Sequence, residues 1–320
     1  MSVLPKLREM PARAPMTKGA PKWREAHLYK PTEALETAIQ VAMDLSQPLL
    51  LTGEPGSGKT AAAYWTAWRM GLSPDDLLFE QVRSDATAAR LRYEFDAVSY
   101  FRESQASAVR GVAFDDDRRR FIRPGVLWRA FEATRTPGRC VVLVLDEIDK
   151  APRDLPNDLL LEFDEQRFTV PDLPATHADH VISTRTKDGD DNPGRIALTV
   201  FTSNAERKLP DAFLRRCVHH HIRIDEQHLR AVLETRRAHH TPNLDGNLVK
   251  LAIDMLLRLR AMPLQHTPGT AELLTWLRVV AGAGNVDLKL RNGGIDLREL
   301  PYLGTLLKDP ADHELVQQQG

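Results

Sequence analysis

At 320 residues the chain has room for two ordinary domains, at roughly 100–200 residues each. Lys plus Arg is 43 against Asp plus Glu at 44, so the net charge is -1, without the basic excess that a phosphate-backbone partner calls for. The composition, 42% hydrophobic and 27% charged, is that of a soluble globular protein, and no apolar run nears the ~18 residues that span a bilayer.

The N-terminus carries Pro5, Pro11, Pro15 and Pro21 among Lys and Arg. It does not read as a signal peptide, and the expected location is the cytoplasm. Residues 1–24 are expected to be a flexible arm, ordered only by docking. The two cysteines, Cys140 and Cys217, sit in strand-like surroundings and read as buried reduced thiols. From Thr32 a helical pattern begins, with Leu35, Ala38, Ile39, Ala42 and Met43 on one face. Pro48 ends it and opens Leu49-Leu50-Leu51-Thr52, a short apolar run leading into glycines that reads as a buried strand.

Gly53-Glu54-Pro55-Gly56-Ser57-Gly58-Lys59-Thr60 matches the phosphate-loop pattern G-x-x-x-x-G-K-[ST] in full. Glycines let backbone N–H groups approach phosphates without a Cβ in the way, and the helix that comes next adds its positive end. Lys59 reaches the β- and γ-phosphates of a bound ATP, and the Thr60 hydroxyl is a ligand for Mg²⁺. A strand runs into the motif and a helix, Ala61–Met70, runs out of it, as the chemistry requires.

Leu77–Val82 is a weak strand candidate. The stretch from Ser84 to Arg123 is longer than a simple connection needs, and it holds Tyr93, Phe95, Tyr100 and Phe101 among charges. By themselves these aromatics read as ordinary packing against the adjoining helix. A helix over Val126–Ala133 precedes the strand Cys140–Leu145, which runs straight into Asp146-Glu147. Asp146 is placed to hold Mg²⁺, and Glu147 to orient and polarise the attacking water.

A helix is predicted over Asn157–Gln166 and a strand over Ile196–Thr202, ending in Ser203-Asn204, where an amide could hold the lytic water from the other side. The Lys187–Gly194 turn chemistry before that strand suggests a hairpin or loop. Val218–Ile224 is a weaker strand, preceded by Arg215-Arg216, either of which could reach the γ-phosphate of a neighbouring subunit. His219-His220-His221 alternate faces and so cannot converge on one metal. Strands alternating with helices argue for a doubly wound α/β domain. After about Asp225 strand signals stop, and the stripes Leu248, Leu251, Ala252, Met255, Leu256, Leu259 and Leu273, Leu274, Leu277, Val280 are helical. The expected division is the arm 1–24, a nucleotide-binding αβα domain over 25–224 and an all-helical lid over 225–320.

The ordered blocks resemble those of AAA+ ATPases of the MoxR type. Leu49–Thr60 resembles the family's opening strand and phosphate loop, and Arg123-Pro124-Gly125-Val126-Leu127-Trp128 the segment ahead of Walker B. Asp146–Pro152 on through Glu165–Pro171 looks like the family's Walker B helix and its next strand. Thr202-Ser203-Asn204 matches sensor 1, which makes Asn204 the sensor, and Leu214-Arg215-Arg216-Cys217 matches the arginine-finger segment, with Arg216 first and Arg215 next. The resemblance implies a three-layer αβα domain and helical lid, ATP with Mg²⁺, a ring of subunits (commonly a hexamer), Tyr29 lining the adenine pocket, and chaperone-like remodelling of a protein client. Metalloenzyme maturation, a von Willebrand factor A partner, and a pore-facing insert whose aromatics Tyr93, Phe95, Tyr100 and Phe101 grip the client are part of that implication.

One stretch departs from the family pattern. Thr267-Pro268-Gly269-Thr270-Ala271-Glu272-Leu273 has no arginine where such lids carry sensor 2, and Arg278 lies two turns further on. The lid resembles a variant found near carbon monoxide dehydrogenase maturation genes. Two rival classes remain open: a nucleic-acid motor or restriction-type NTPase, which the near-neutral charge disfavours, and a non-hydrolysing nucleotide-dependent scaffold, which Glu147 disfavours.

Overall fold

The computed structural model describes residues 6–11, 13–16, 19–184, 194–223, 225–240, 246–283, 288, 290–291 and 294–319. A short helix α1 (Pro21–Arg24) precedes α2 (Glu33–Leu45), which Thr32 caps by accepting the Leu35 N–H at 3.2 Å. Glu33 and Glu36 in its first turn complement the helix dipole. Its buried face is Leu35, Ile39, Ala42 and Met43, and it closes at Ser46 in the left-handed region, two residues before Pro48.

Five strands form one parallel sheet in the order β2-β5-β8-β1-β9: β1 (Leu49–Thr52), β2 (Leu77–Gln81), β5 (Cys140–Asp146), β8 (Arg195–Ser203) and β9 (Val218–His221). Between β2 and β5 the chain inserts α4 (Ala88–Arg92), β3 (Tyr93–Phe95), α5 (Ala97–Arg110) and β4 (Ile122–Pro124), with β3 and β4 paired antiparallel. The connection β1 to β2 carries α3 (Lys59–Met70), and α6 (Val126–Ala133) leads into β5.

The strands lack polar alternation because both faces are covered. Leu50, Leu143, Leu145 and Phe201 point to one side, against Trp128 and Phe131 of α6. Leu49, Leu51, Val142, Val144 and Val200 point to the other, against α2 and α3. Phe131 and Phe201 are fully buried, and each such side chain contributes about 1.5–3 kcal/mol. The result is the three-layer αβα arrangement expected from the sequence.

Several expectations need correction. The described part of the N-terminal arm is docked: Leu7 and Trp23 are buried with α2 and α3, and Arg8 pairs with Glu33 and Glu36. The single helix over Asn157–Gln166 is two, α7 (Leu155–Asp158) and α8 (Leu160–Glu165), joined at Leu159. An antiparallel hairpin, β6 (Arg167–Thr169) with β7 (Val181–Ser183), forms ahead of the predicted turn, whose residues 187–193 lie outside the described ones. Of the four insert aromatics singled out above, Tyr93 donates its hydroxyl to Asp172 at 2.7 Å, and Phe95 and Tyr100 pack together. Only Phe101 is largely exposed, beside Val98 on α5.

Beyond a short α9 (Asp211–Leu214), helices α10 (Glu226–His240), α11 (Gly246–Ala261), α12 (Thr270–Gly282) and α13 (Pro310–Gln319) contribute to a separate hydrophobic cluster around Trp276, Met255 and Leu256. This region is not wholly helical, since β10 (Leu290–Arg291) and β11 (Gly294–Ile295) pair antiparallel. Two-residue strands are too short for a periodic pattern to reveal them.

Candidate nucleotide site

Parallel pairing lines up the carboxyl ends of the strands, where open α/β sheets bind ligands. Thr52 stands opposite Ser203 on one side and His221 on the other, and Gln81 stands opposite Asp146. The predicted phosphate loop leaves β1 in this row. Gly56 and Gly58 have φ of 74° and 91°, the left-handed region that a side chain makes costly. A Cβ on Gly58 would stand 2.9 Å from the Tyr29 ring, and one on Gly56 2.9 Å from the Ala271 Cβ at the start of α12. Lys59 opens α3, and its ammonium donates to the carbonyls of Gly53 and Glu54, both at 2.9 Å. Burial pulls the Lys59 amine below its ordinary value, against the opposing pull of Asp146 and Asp149. The Ser57 hydroxyl is buried in the loop without a hydrogen-bond partner among the described residues.

The two distant motifs meet. Thr60 Oγ1 donates to Asp146 Oδ1 at 2.8 Å, joining the first turn of α3 to the tip of β5. The same carboxylate oxygen accepts from Thr202 Oγ1 at 2.6 Å, and Thr202 in turn accepts the Glu147 N–H at 2.9 Å. Glu147 takes a left-handed backbone, φ 60°, which turns the chain sharply as it leaves the strand. Its Oε2 accepts from Gln81 Nε2 at 2.8 Å and pairs with Lys150 at 3.0 Å. The Gln81 amide, aided by Lys150, holds this carboxyl below its usual range despite partial burial.

The other predicted residues are placed less directly. The Asn204 amide donates to Glu206 Oε1 at 3.4 Å. Arg215 and Arg216 are exposed at the end of α9, and Arg216 pairs with Asp164 at 3.3 Å. Tyr29 packs against Gly58 and near Trp65, and burial pushes its phenol up. A cavity beside the loop is lined by Glu54, Pro55, Ser57, His221, Arg223 and Arg260, among others. Arg260, on α11, pairs with Glu54 of the loop and donates to the Pro268 carbonyl at 3.2 Å.

Gln81, Thr202 and Arg260 were not assigned roles from the sequence. Gln81 ends a weakly marked strand, and its pairing with Glu147 arises only from β2 lying next to β5. His219 and His221, two residues apart on an edge strand, share one face, and both bond the Thr52 hydroxyl, at 2.9 and 3.0 Å. Among the described residues no group of three His, Cys, Asp or Glu is placed to hold a metal ion.

A phosphate loop between strand and helix, with a carboxylate at the tip of a strand one removed in the sheet, defines a P-loop nucleotide-binding protein. Residues 48–217 match the model of the AAA domain, dynein-related subfamily, and the chain belongs to that family. No curated protein matches it. A solved structure described as an ATPase from Cytophaga hutchinsonii ATCC 33406 is 16% identical, with 89% of this chain and 78% of that one covered and a TM-score of 0.36; so distant a likeness carries no argument.

Among the described residues no helix is long and apolar enough to cross a membrane.

Proposed function

We propose that the chain is a MoxR-type AAA+ ATPase that hydrolyses ATP with Mg²⁺ to drive chaperone-like remodelling or assembly of a protein client. The observation that carries this reading is the 2.8 Å bond between Thr60 and Asp146. It joins two hard oxygen groups at the end of the phosphate loop, the donor set that suits Mg²⁺. Thr60 and Asp146 would hold the ion, which supplies charge neutralisation on the phosphates. Gly53, Glu54, Pro55, Gly56, Ser57 and Gly58 cradle the phosphates with their backbone, and the orphaned Ser57 hydroxyl is available to them. Lys59 exchanges its two carbonyl partners for phosphate oxygens. Glu147, ionised at neutral pH, accepts a proton from the attacking water, and Asn204 orients that water from the neighbouring strand.

Arg216, with Arg215 beside it, acts across a subunit boundary in a hexameric ring. Their exposure supports a role in trans. Tyr29 borders the base, the division into arm, αβα domain and lid keeps the boundaries given above, and a von Willebrand factor A protein is the candidate partner.

Light scattering of the purified protein with and without Mg²⁺–ATP, beside steady-state phosphate release, tests this reading. A nucleotide-dependent ring with turnover altered by protein partners is expected. A monomer with undiminished turnover would overturn the ring, and stimulation by DNA alone would overturn the remodelling role.

A further inference from the structure

The turn after β5 and the turn after β8 are fastened together twice. The first tie is Thr202, which bridges the Asp146 carboxylate and the Glu147 N–H. The second lies a few residues further along each chain segment. Asp149, 2% exposed, accepts the Glu206 N–H on Oδ2 at 3.0 Å. It sits on a single 3-10 turn, Ile148–Lys150, whose Lys150 N–H returns to the Glu147 carbonyl at 3.0 Å. Between the two ties the β8 turn is tight: Ala205 has φ 59° and gives its N–H to the Ser203 hydroxyl at 2.9 Å. Asn204 is therefore bracketed, with Thr202 fixed on one side and Glu206 on the other.

Asp149 Oδ1 is buried and has no hydrogen-bond partner among the described residues. A buried carboxylate with a single donor is an uneconomical way to hold a surface turn, since each unpaired oxygen costs free energy. What a carboxylate does provide is a charge-assisted tie, stronger than a neutral one. Glu206, the residue so anchored, is also the one whose side chain takes the Asn204 amide.

We infer that Asp149 is a positioning residue: by clamping Glu206 it fixes the Asn204 amide relative to Glu147, and thereby sets the rate of the hydrolytic step without touching nucleotide. This rests on the ATPase reading above, in which Asn204 orients the lytic water.

The test uses the full chain and three measurements: phosphate-release kcat and KM, nucleotide affinity by calorimetry, and thermal melting. Asp149→Ala is expected to lower kcat at least tenfold while KM and affinity stay within twofold. Asp149→Asn, which keeps an acceptor for the Glu206 N–H, is expected to restore kcat to within about fivefold of wild type. The double variant with Asn204→Ala is expected to be no slower than Asn204→Ala alone. If Asp149→Ala does not fold, Asp149→Ser, too short to span the tie, replaces it. Loss of affinity in step with kcat, an unaltered kcat, or multiplying effects in the double variant would overturn the inference while wild-type turnover leaves the ATPase reading standing. A wild-type protein that binds but does not hydrolyse ATP overturns both.

Discussion

Glu147→Gln isolates the proposed base with little structural disturbance. Glutamine is nearly the same shape, so its carbonyl can still accept from Gln81, the contact that stands at 2.8 Å in the native protein. What is lost is the charge and the Lys150 ion pair, in which the Lys150 side chain is 42% exposed. A pair so open to solvent is worth about 0–1 kcal/mol, so the melting temperature should move by no more than about 4 °C. Turnover is another matter. A general base contributes about 10²–10⁴ in rate, which at 1.36 kcal/mol per decade raises the barrier by roughly 2.7–5.4 kcal/mol. Nucleotide affinity should hold or tighten, because a negative charge is removed beside a polyanion and no loop contact is broken. Phosphate release at saturating Mg²⁺–ATP and calorimetric titration give the two numbers. Turnover within threefold of wild type, or affinity lost together with turnover, would refute the assignment of Glu147.

Three further outcomes are expected. Lys59→Ala removes the only cationic side chain of the loop, and with hydrogen bonds to charged groups at about 1.5–3 kcal/mol each nucleotide affinity should fall at least tenfold in the same titration. Gly58→Ala combines left-handed strain of about 1–2 kcal/mol with crowding of Tyr29, and urea denaturation should register a loss of about 2–4 kcal/mol. His27 has both ring nitrogens buried; its ring meets that of His239 of α10 edge to face at 5.0 Å, and the nearby Arg236 pairs with Glu25. Burial first, then His239 and Arg236, lower its folded pKa. The unfolded chain therefore takes up the proton first as pH falls, and stability present above about pH 6.5 is lost below it. Calorimetric melting at pH 7.5 and 5.5 should show that drop in wild type and a shallower one in His27→Phe.

Much of the fold was legible because its signals are local. The phosphate loop is contiguous, and Cys140–Asp146 is a strand whose burial on both faces leaves an unbroken apolar run. The pairing of Thr60 with Asp146 was readable as an expectation because each motif must terminate at the same edge of a parallel sheet. Other features depend on strand order, which no local pattern encodes. Gln81 acquires a partner only because β2 lies beside β5, and His219 and His221 converge on Thr52 only because β9 lies beside β1. The docking of Leu7 and Trp23 was hidden by the prolines around them, which look the same in a free arm and a seated one. The split of the helix at Leu159 and the hairpin β10–β11 involve too few residues to leave a periodic trace.

The approach of Ala271 to Gly56 has a mechanical corollary. A methyl group on the leading turn of α12 rests against a loop position that lacks a side chain, so any side chain at position 56 would force that turn away. The glycine at 56 and the alanine at 271 together set how near the loop and that turn can lie. Helical cap and phosphate loop thus share one close steric fit, which a bulkier residue at either place would spoil.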